Sequence, residues 1–228
     1  MKKLLTLTIS LLVVFSVPAL AAGKITVTQE SFYVRPYWSN FASEIYAELT
    51  NTGDKPVKFN GGMIELFNED GDSIESSNIY SCYPPILGPG EVGYIFDTTS
   101  VKEAEEKSYI DDYVLTVTSK GENKETIKYL PSDGTYLEED RNFFKELRIS
   151  ATIQNDTDST LEKVTVAIAL YDADDKLIYA DYVSPYSIGV PSGQSIVFYT
   201  RVDNRIYELW ETEGISPARV VTIAYSED

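Results

Sequence analysis

Apolar and polar side chains alternate along this chain in short runs. Ile45, Ala47 and Leu49 lie two apart, as do Ile64 and Leu66, and Leu115 and Val117. That period puts each set on one face of an extended strand. Asn51-Thr52-Gly53-Asp54 and Asp70-Gly71-Asp72 separate the runs. Asp-Gly takes the positive φ of a two-residue hairpin turn readily. β-Branched and aromatic residues fill the runs, so the pattern predicts a sandwich of two antiparallel sheets.

The pattern occurs twice. Asn51 aligns with Asn155, Leu66 with Leu170 and Ile74 with Ile178, each 104 positions on. Ile45, Ala47 and Leu49 return as Ile149, Ala151 and Ile153; Ile64 and Leu66 return as Ile168 and Leu170. Leu115 and Val117 are matched to Val221 and Ile223. Such self-similarity sets the architecture. The expectation is an all-β chain of two tandem modules, 23–135 and 136–228. Before its last strand each module has an acidic stretch, "SVKEAEEKSYIDD" and "NRIYELWETEGIS", read as a short helical crossover. In the second, Ile206, Leu209 and Trp210 have the i, i+3, i+4 spacing of an inward helix face. "KETIKYL" reads as an extra strand pairing back beyond Lys120-Gly121-Glu122-Asn123. Pro131-Ser132-Asp133-Gly134 reads as a breaker, "YLEEDRN" as a connector, and Phe143 as the opening of the second module's first strand.

The second copy carries "VAIALYDADDKLI", centred on Ile168-x-Leu170-Tyr171-Asp172, with "NDTDSTLEKVTVAI" before it and "VPSGQSIVF" after it. These segments resemble the FxLYD family of bacterial extracellular domains. The first copy keeps the spacing as Ile64-x-Leu66-Phe67-Asn68 but lacks the Tyr and Asp; its "LGPGEVGYIF" fits the pattern of the later strand well. The resemblance implies two tandem immunoglobulin-like antiparallel β-sandwiches in a secreted or cell-envelope protein. It implies no activity, because the family has no catalytic motif to carry over.

The first 22 residues read as an export signal. Lys2 and Lys3 precede the apolar stretch Leu4 to Val17, then Pro18 and Ala19-Leu20-Ala21. The apolar run is shorter than the ~20 residues of a membrane span. The chain is therefore expected to be secreted or periplasmic, with no membrane span after cleavage. Removing the leader leaves 17 basic against 36 acidic side chains, a charge of −19 where the whole chain has −17. That sign repels nucleic acid and anionic lipid.

The chain has no histidine and one cysteine, Cys82. That removes Ser-His-Asp and Cys-His catalysis, His-based zinc sites and CxxC redox chemistry. No phosphate-cradling glycine motif occurs. Acid pairs are plentiful, but a small sandwich lacks a deep cleft for them. Asn68-x-Asp70-x-Asp72 resembles the start of a calcium loop. Its second copy reads Asp172, Asp174 and Lys176, and a lysine is incompatible with a cation there, so a solvated turn is expected. No catalytic residue, cofactor or metal ligand is therefore expected. Cys82 is expected to be a small buried hydrophobe.

The positive signal is aromatic. The chain has 17 tyrosines. Tyr80 and Tyr83 share one loop region with Pro84 and Pro85; Tyr179, Tyr182 and Tyr186 share the equivalent region of the second copy. Tyrosine combines contact area with a polar tip, which suits protein or sugar recognition. It is also a common half-buried strand residue. The reading is a non-catalytic protein-interaction or assembly module of the bacterial cell envelope. Its alternative is a carbohydrate-binding module using exposed Tyr80, Tyr83, Tyr179, Tyr182 and Tyr186.

Overall fold

The computed structural model describes residues 23–102, 104, 106–122, 127–141, 144–184 and 189–227. The expected leader, Phe143 and Tyr186 lie outside them. The protein is all-β, with one α-helix among the described residues. Among the described residues fourteen strands form four antiparallel sheets. Sheet I joins β4 (Ser73–Ile79) to β3 (Val57–Phe67), which also pairs with β5 (Ile86–Leu87) and β7 (Asp112–Gly121). Sheet II is β1 (Ile25–Tyr37), β2 (Asn40–Asn51) and β6 (Val92–Val101). Sheet III is β12 (Leu177–Val183), β11 (Val164–Tyr171), β14 (Arg219–Ser226) and β8 (Lys128–Leu130). Sheet IV is β13 (Ser195–Arg201), β10 (Phe144–Gln154) and β9 (Ser132–Arg141).

The sheets stack in the order I, II, III, IV. Between I and II lie Ile45, Ala47 and Leu49 of β2, Ile64 and Leu66 of β3, and Cys82, Leu87 and Ile95. Between III and IV lie Leu147, Ile149, Ala151 and Ile153 of β10 with Val166, Ile168 and Leu170 of β11. These are the positions that alternation assigns to the core. A third apolar layer joins the halves: Tyr33, Tyr46 and Tyr94 of sheet II pack into the same cluster as Ala167, Ala169, Tyr171 and Ala180 of sheet III.

Both halves are closed by the same polar device. Asn51 and Asn155 are fully buried. The Asn51 side-chain amide donates to the carbonyls of Lys55 (2.8 Å) and Leu87 (2.9 Å), and its oxygen accepts from Gly53 N. Asn155 donates to Ser159 (2.8 Å) and Val190 (2.7 Å) and accepts from Thr157 N. One side chain thus ties three backbone groups of the hairpin and the facing loop together. The tight turns repeat as well. Gly71 (φ 78°) and Asp175 (φ 62°) occupy one left-handed position, 104 residues apart, and Gly90 and Gly193 another.

Four expectations need correction. The segment read as the second copy's last-strand core is out of register by one residue. Leu115 faces Ile64 across sheet I, but Ile168 faces Thr222, so Thr222 and not Val221 is its counterpart. A slip of one turns a strand over, and Val221 and Ile223 lie on the opposite face of sheet III. The strand containing Lys128–Leu130 does not pair back into the first half; it pairs with β14. Residues 131–134 are no breaker, and the boundary drawn between 135 and 136 falls inside β9. Gly134 is there for proximity, since a Cβ would lie 2.1 Å from Val220 Cγ1. Finally, the first acidic crossover is not an α-helix. It holds only a turn of 3-10 helix at Lys107–Tyr109. The second is α1, Asn204–Glu213, with Asp203 accepting from Arg205 N and Gly214 ending it in the left-handed region. Ile206, Tyr207 and Trp210 give α1 an apolar face. The 3-10 turn has no side-chain cap and none of its three residues is buried.

Replacing Asn155 by Leu removes its bonds to the Ser159 and Val190 carbonyls and takes the acceptor from the Thr157 N–H. We expect a loss of about 2–4 kcal/mol, and a similar loss for Asn51→Leu. Thermal melts followed by circular dichroism measure both; an unchanged melting temperature in either variant contradicts the assigned role.

Candidate functional site

Tyr179 and Tyr182 lie in strand β12 and not in a loop equivalent to that of Tyr80 and Tyr83, and Tyr83 meets Tyr182 where sheet II meets sheet III. Tyr83 and Tyr182 stack with ring centroids 3.9 Å apart and planes 10° apart, and Phe96 lies beside both. Each half supplies one face of this clamp. Tyr179 is buried, 5.0 Å from Tyr46 and edge-on to Trp210. Of the residues singled out as ligand contacts, only Tyr80 stands free among those described, at 84 % exposure. It lies between two shallow grooves. One, of about 260 Å³, runs along Asn78, Asp97 and the Tyr83–Tyr182 stack; the other, of about 370 Å³, runs along Gly61, Met63 and Thr118.

Residues that the sequence pattern did not flag complete the junction. Tyr171 donates to Glu48, and Tyr94 donates to the Tyr171 hydroxyl at 2.9 Å. Each hydroxyl has one hydrogen, so the two bonds fix the direction of the chain. Burial raises the Tyr94 hydroxyl to about pKa 12 and pushes Tyr171 far higher, so both keep their protons. Gln29 accepts from Leu177 N at 2.8 Å, and Ser31 donates to Leu177 O. The signal available for this burial is the unbroken apolar run Val166 to Tyr171 of β11. A strand covered on both faces loses its alternation.

A polar cleft of about 180 Å³ opens beside the junction, with Arg35, Glu44, Asp181 and Asp203 in its wall. Arg35 pairs with Glu44, whose other oxygen accepts from Thr98 at 2.8 Å. Asp181 accepts from Thr200 at 2.8 Å, from Tyr182 N at 2.7 Å and from the Tyr179 hydroxyl. Burial raises both carboxyls above their ordinary range, against the pull of Arg35 on one and of Thr200 on the other. Both carboxylates are thus held by structural donors.

The oxygen-rich turns are closed on themselves. Asn68 Oδ1 accepts from the N–H groups of Asp70 and Asp72, and Asp172 Oδ1 from those of Asp174 and Lys176. Among the described residues no group of three or more His, Cys, Asp or Glu side chains is placed to share a metal ion. Cys82 is buried with its thiol pushed up by desolvation, and Gly93 leaves room for it. No helix of the described residues is long and apolar enough to cross a membrane.

The chain matches no protein-family model and no curated protein. Among solved structures it has partial likenesses. A red sea bream transglutaminase matches over 86 % of this chain and 29 % of its own length, at 8 % identity and TM-score 0.23. The chain thus spans under a third of that enzyme. The tandem CBM22-1-CBM22-2 domain of Paenibacillus barcinonensis Xyn10C matches over 91 % of both chains, at 11 % identity and TM-score 0.19. Procruciferin of Brassica napus matches over 91 % of this chain and 85 % of its own, at 7 % identity and TM-score 0.14. None of the three transfers an activity to this chain.

Two outcomes test the junction. Tyr171→Phe removes the donor to Glu48 and is expected to lower stability by about 1.5–3 kcal/mol in denaturant titration. Asp181 is raised on folding, so the native state holds its proton more tightly than the unfolded one. Its destabilising effect is absent below the unfolded value near 3.8 and complete above the native one. The melting-temperature gap between wild type and Asp181→Asn should therefore narrow as pH rises from about 4 to 7. A gap that widens contradicts the assignment.

Proposed function

We propose that this chain is an exported, non-catalytic protein-interaction and assembly module of a bacterial cell envelope, built from two FxLYD-type immunoglobulin-like halves. One observation carries the reading. The aromatics that would form a sugar platform are used inside the molecule, with Tyr83 and Tyr182 stacked on each other and Tyr179 buried. Of the large apolar side chains left exposed, Trp38 and Tyr80 stand outside the strands, while Met63 and Val114 stand on sheet I and Leu137, Val197 and Tyr199 on sheet IV. Val197 and Tyr199 lie two apart on one face of β13, and a flat face with a polar surround suits protein contact. The cleft carboxylates add no catalytic reading, since Glu44 and Asp181 each bond to structural donors.

The carbohydrate-binding alternative keeps Tyr80 and the two grooves beside it. A photo-crosslinker placed at position 80 or 199 of the exported protein in its native host separates the readings. Protein adducts from position 199 are expected. Absence of protein adducts from both positions, together with glycan-array binding abolished by Tyr80→Ala, would replace the protein-interaction reading by the carbohydrate one.

A further inference from the structure

The two outermost faces of the four-sheet stack are repeat copies of the two faces already joined at its centre. Sheet IV is the second half's version of sheet II, and sheet I is the first half's version of sheet III. The registers place this residue by residue. In sheet II, Tyr33 lies opposite Glu44, Phe96 opposite Tyr46 and Tyr94 opposite Glu48. In sheet IV, Leu137 lies opposite Arg148, Tyr199 opposite Ser150 and Val197 opposite Thr152. Arg148, Ser150 and Thr152 each follow their first-half counterparts by 104 positions. So Leu137, Tyr199 and Val197 occupy the places of Tyr33, Phe96 and Tyr94, the apolar residues that sheet II presses onto sheet III.

The other face obeys the same rule. In sheet III, Ala167 pairs with Tyr182 and Val221 with Ala169. In sheet I, Met63 pairs with Asn78 and Val114 with Glu65. Met63 and Val114 thus hold the places of Ala167 and Val221. All five outer residues are 41–60 % exposed, while Tyr33, Tyr94 and Ala167 in the junction are buried. On the sheet IV face Arg148 and Arg201 are paired with Glu139 and Glu146, and sheet I carries Glu65 where sheet III has Ala169.

We propose that sheet IV of one molecule docks on sheet I of a second copy of this chain, face to face as sheet II meets sheet III, but with Met63, Glu65 and Phe67 where the inner junction has Ala167, Ala169 and Tyr171. The inference rests on the protein-interaction reading and names its partner. Such a contact is heterologous, since the two surfaces differ, and it leaves a free face at each end. Copies therefore add head to tail into an open stack of sheets. The net charge of −17 opposes the approach of like molecules, so association strengthens as salt screens that repulsion.

Sedimentation velocity on the full mature chain tests this, at low and at about 0.15–0.5 M salt. The weight-average mass is expected to rise with concentration past twice the monomer mass. Val197→Glu/Tyr199→Glu closes the sheet IV face, and Met63→Arg/Val114→Arg closes the sheet I face. All four positions are exposed, so unchanged melting curves certify folding. Each double variant alone should stay monomeric, and an equimolar mixture of the two should give a 1:1 dimer and nothing larger. A wild type that stays monomeric throughout overturns the proposal. So does a closed-face variant that self-associates, because the contact would then be isologous or elsewhere. If the wild type is monomeric while position 199 still crosslinks to another protein in cells, self-stacking fails and the interaction reading stands.

Discussion

The two halves of this protein are held as one body by a hydroxyl shared between them. Tyr171 of sheet III donates to Glu48 of sheet II and accepts from Tyr94 of the same sheet. Glu48 sits on a strand otherwise packed with apolar side chains, and its oxygens need donors once sheet III covers it. Thr28 supplies one at 2.7 Å, and Tyr171 supplies the other. Around this chain the fit is steric. Ala167, Ala169 and Ala180 keep sheet III low, so that Tyr33, Tyr46 and Tyr94 can lie across it. Larger residues there would separate the sheets and leave the Glu48–Tyr171 bond too long to form.

This junction decides what the molecule offers to others. Two of the four sheets are covered on both faces, which buries Tyr179 and stacks Tyr83 on Tyr182. The outermost sheets are left with one face each toward solvent. The acidic cleft at the margin is a by-product of the same packing. Arg35 and Glu44 neutralise each other where sheet II is covered, and breaking such a buried pair is costly even when forming it adds little.

Duplication supplies the repeated parts, and context makes them differ. The buried asparagines, the left-handed turn residues and the Asx turns recur with the same partners in both halves. Elements that touch the other half do not. The second crossover forms α1 because Trp210 finds a pocket against Tyr179 at the junction. The first crossover is packed through Val101, Ala104 and Ile110, and no aromatic ring among its described residues is fully buried.

The all-β architecture, the repeat and the inner faces of β2, β3, β10 and β11 were legible in the chain itself. Period-two alternation reports which face of a strand is buried, and two aligned copies report it twice. The turns were legible too, because Asn, Asp and Gly act locally. The register of β14 was not: "VVTI" is apolar on both faces, so nothing in the string tells Val221 from Val220. Nor was the fate of the tyrosines, since a half-buried strand tyrosine and an exposed binding tyrosine have the same local sequence. The residues by themselves determined how each half folds. Which faces of those halves meet, and therefore which aromatics remain for a partner, was decided only when the two sheets came together, because that contact depends on side chains 77 to 148 positions apart.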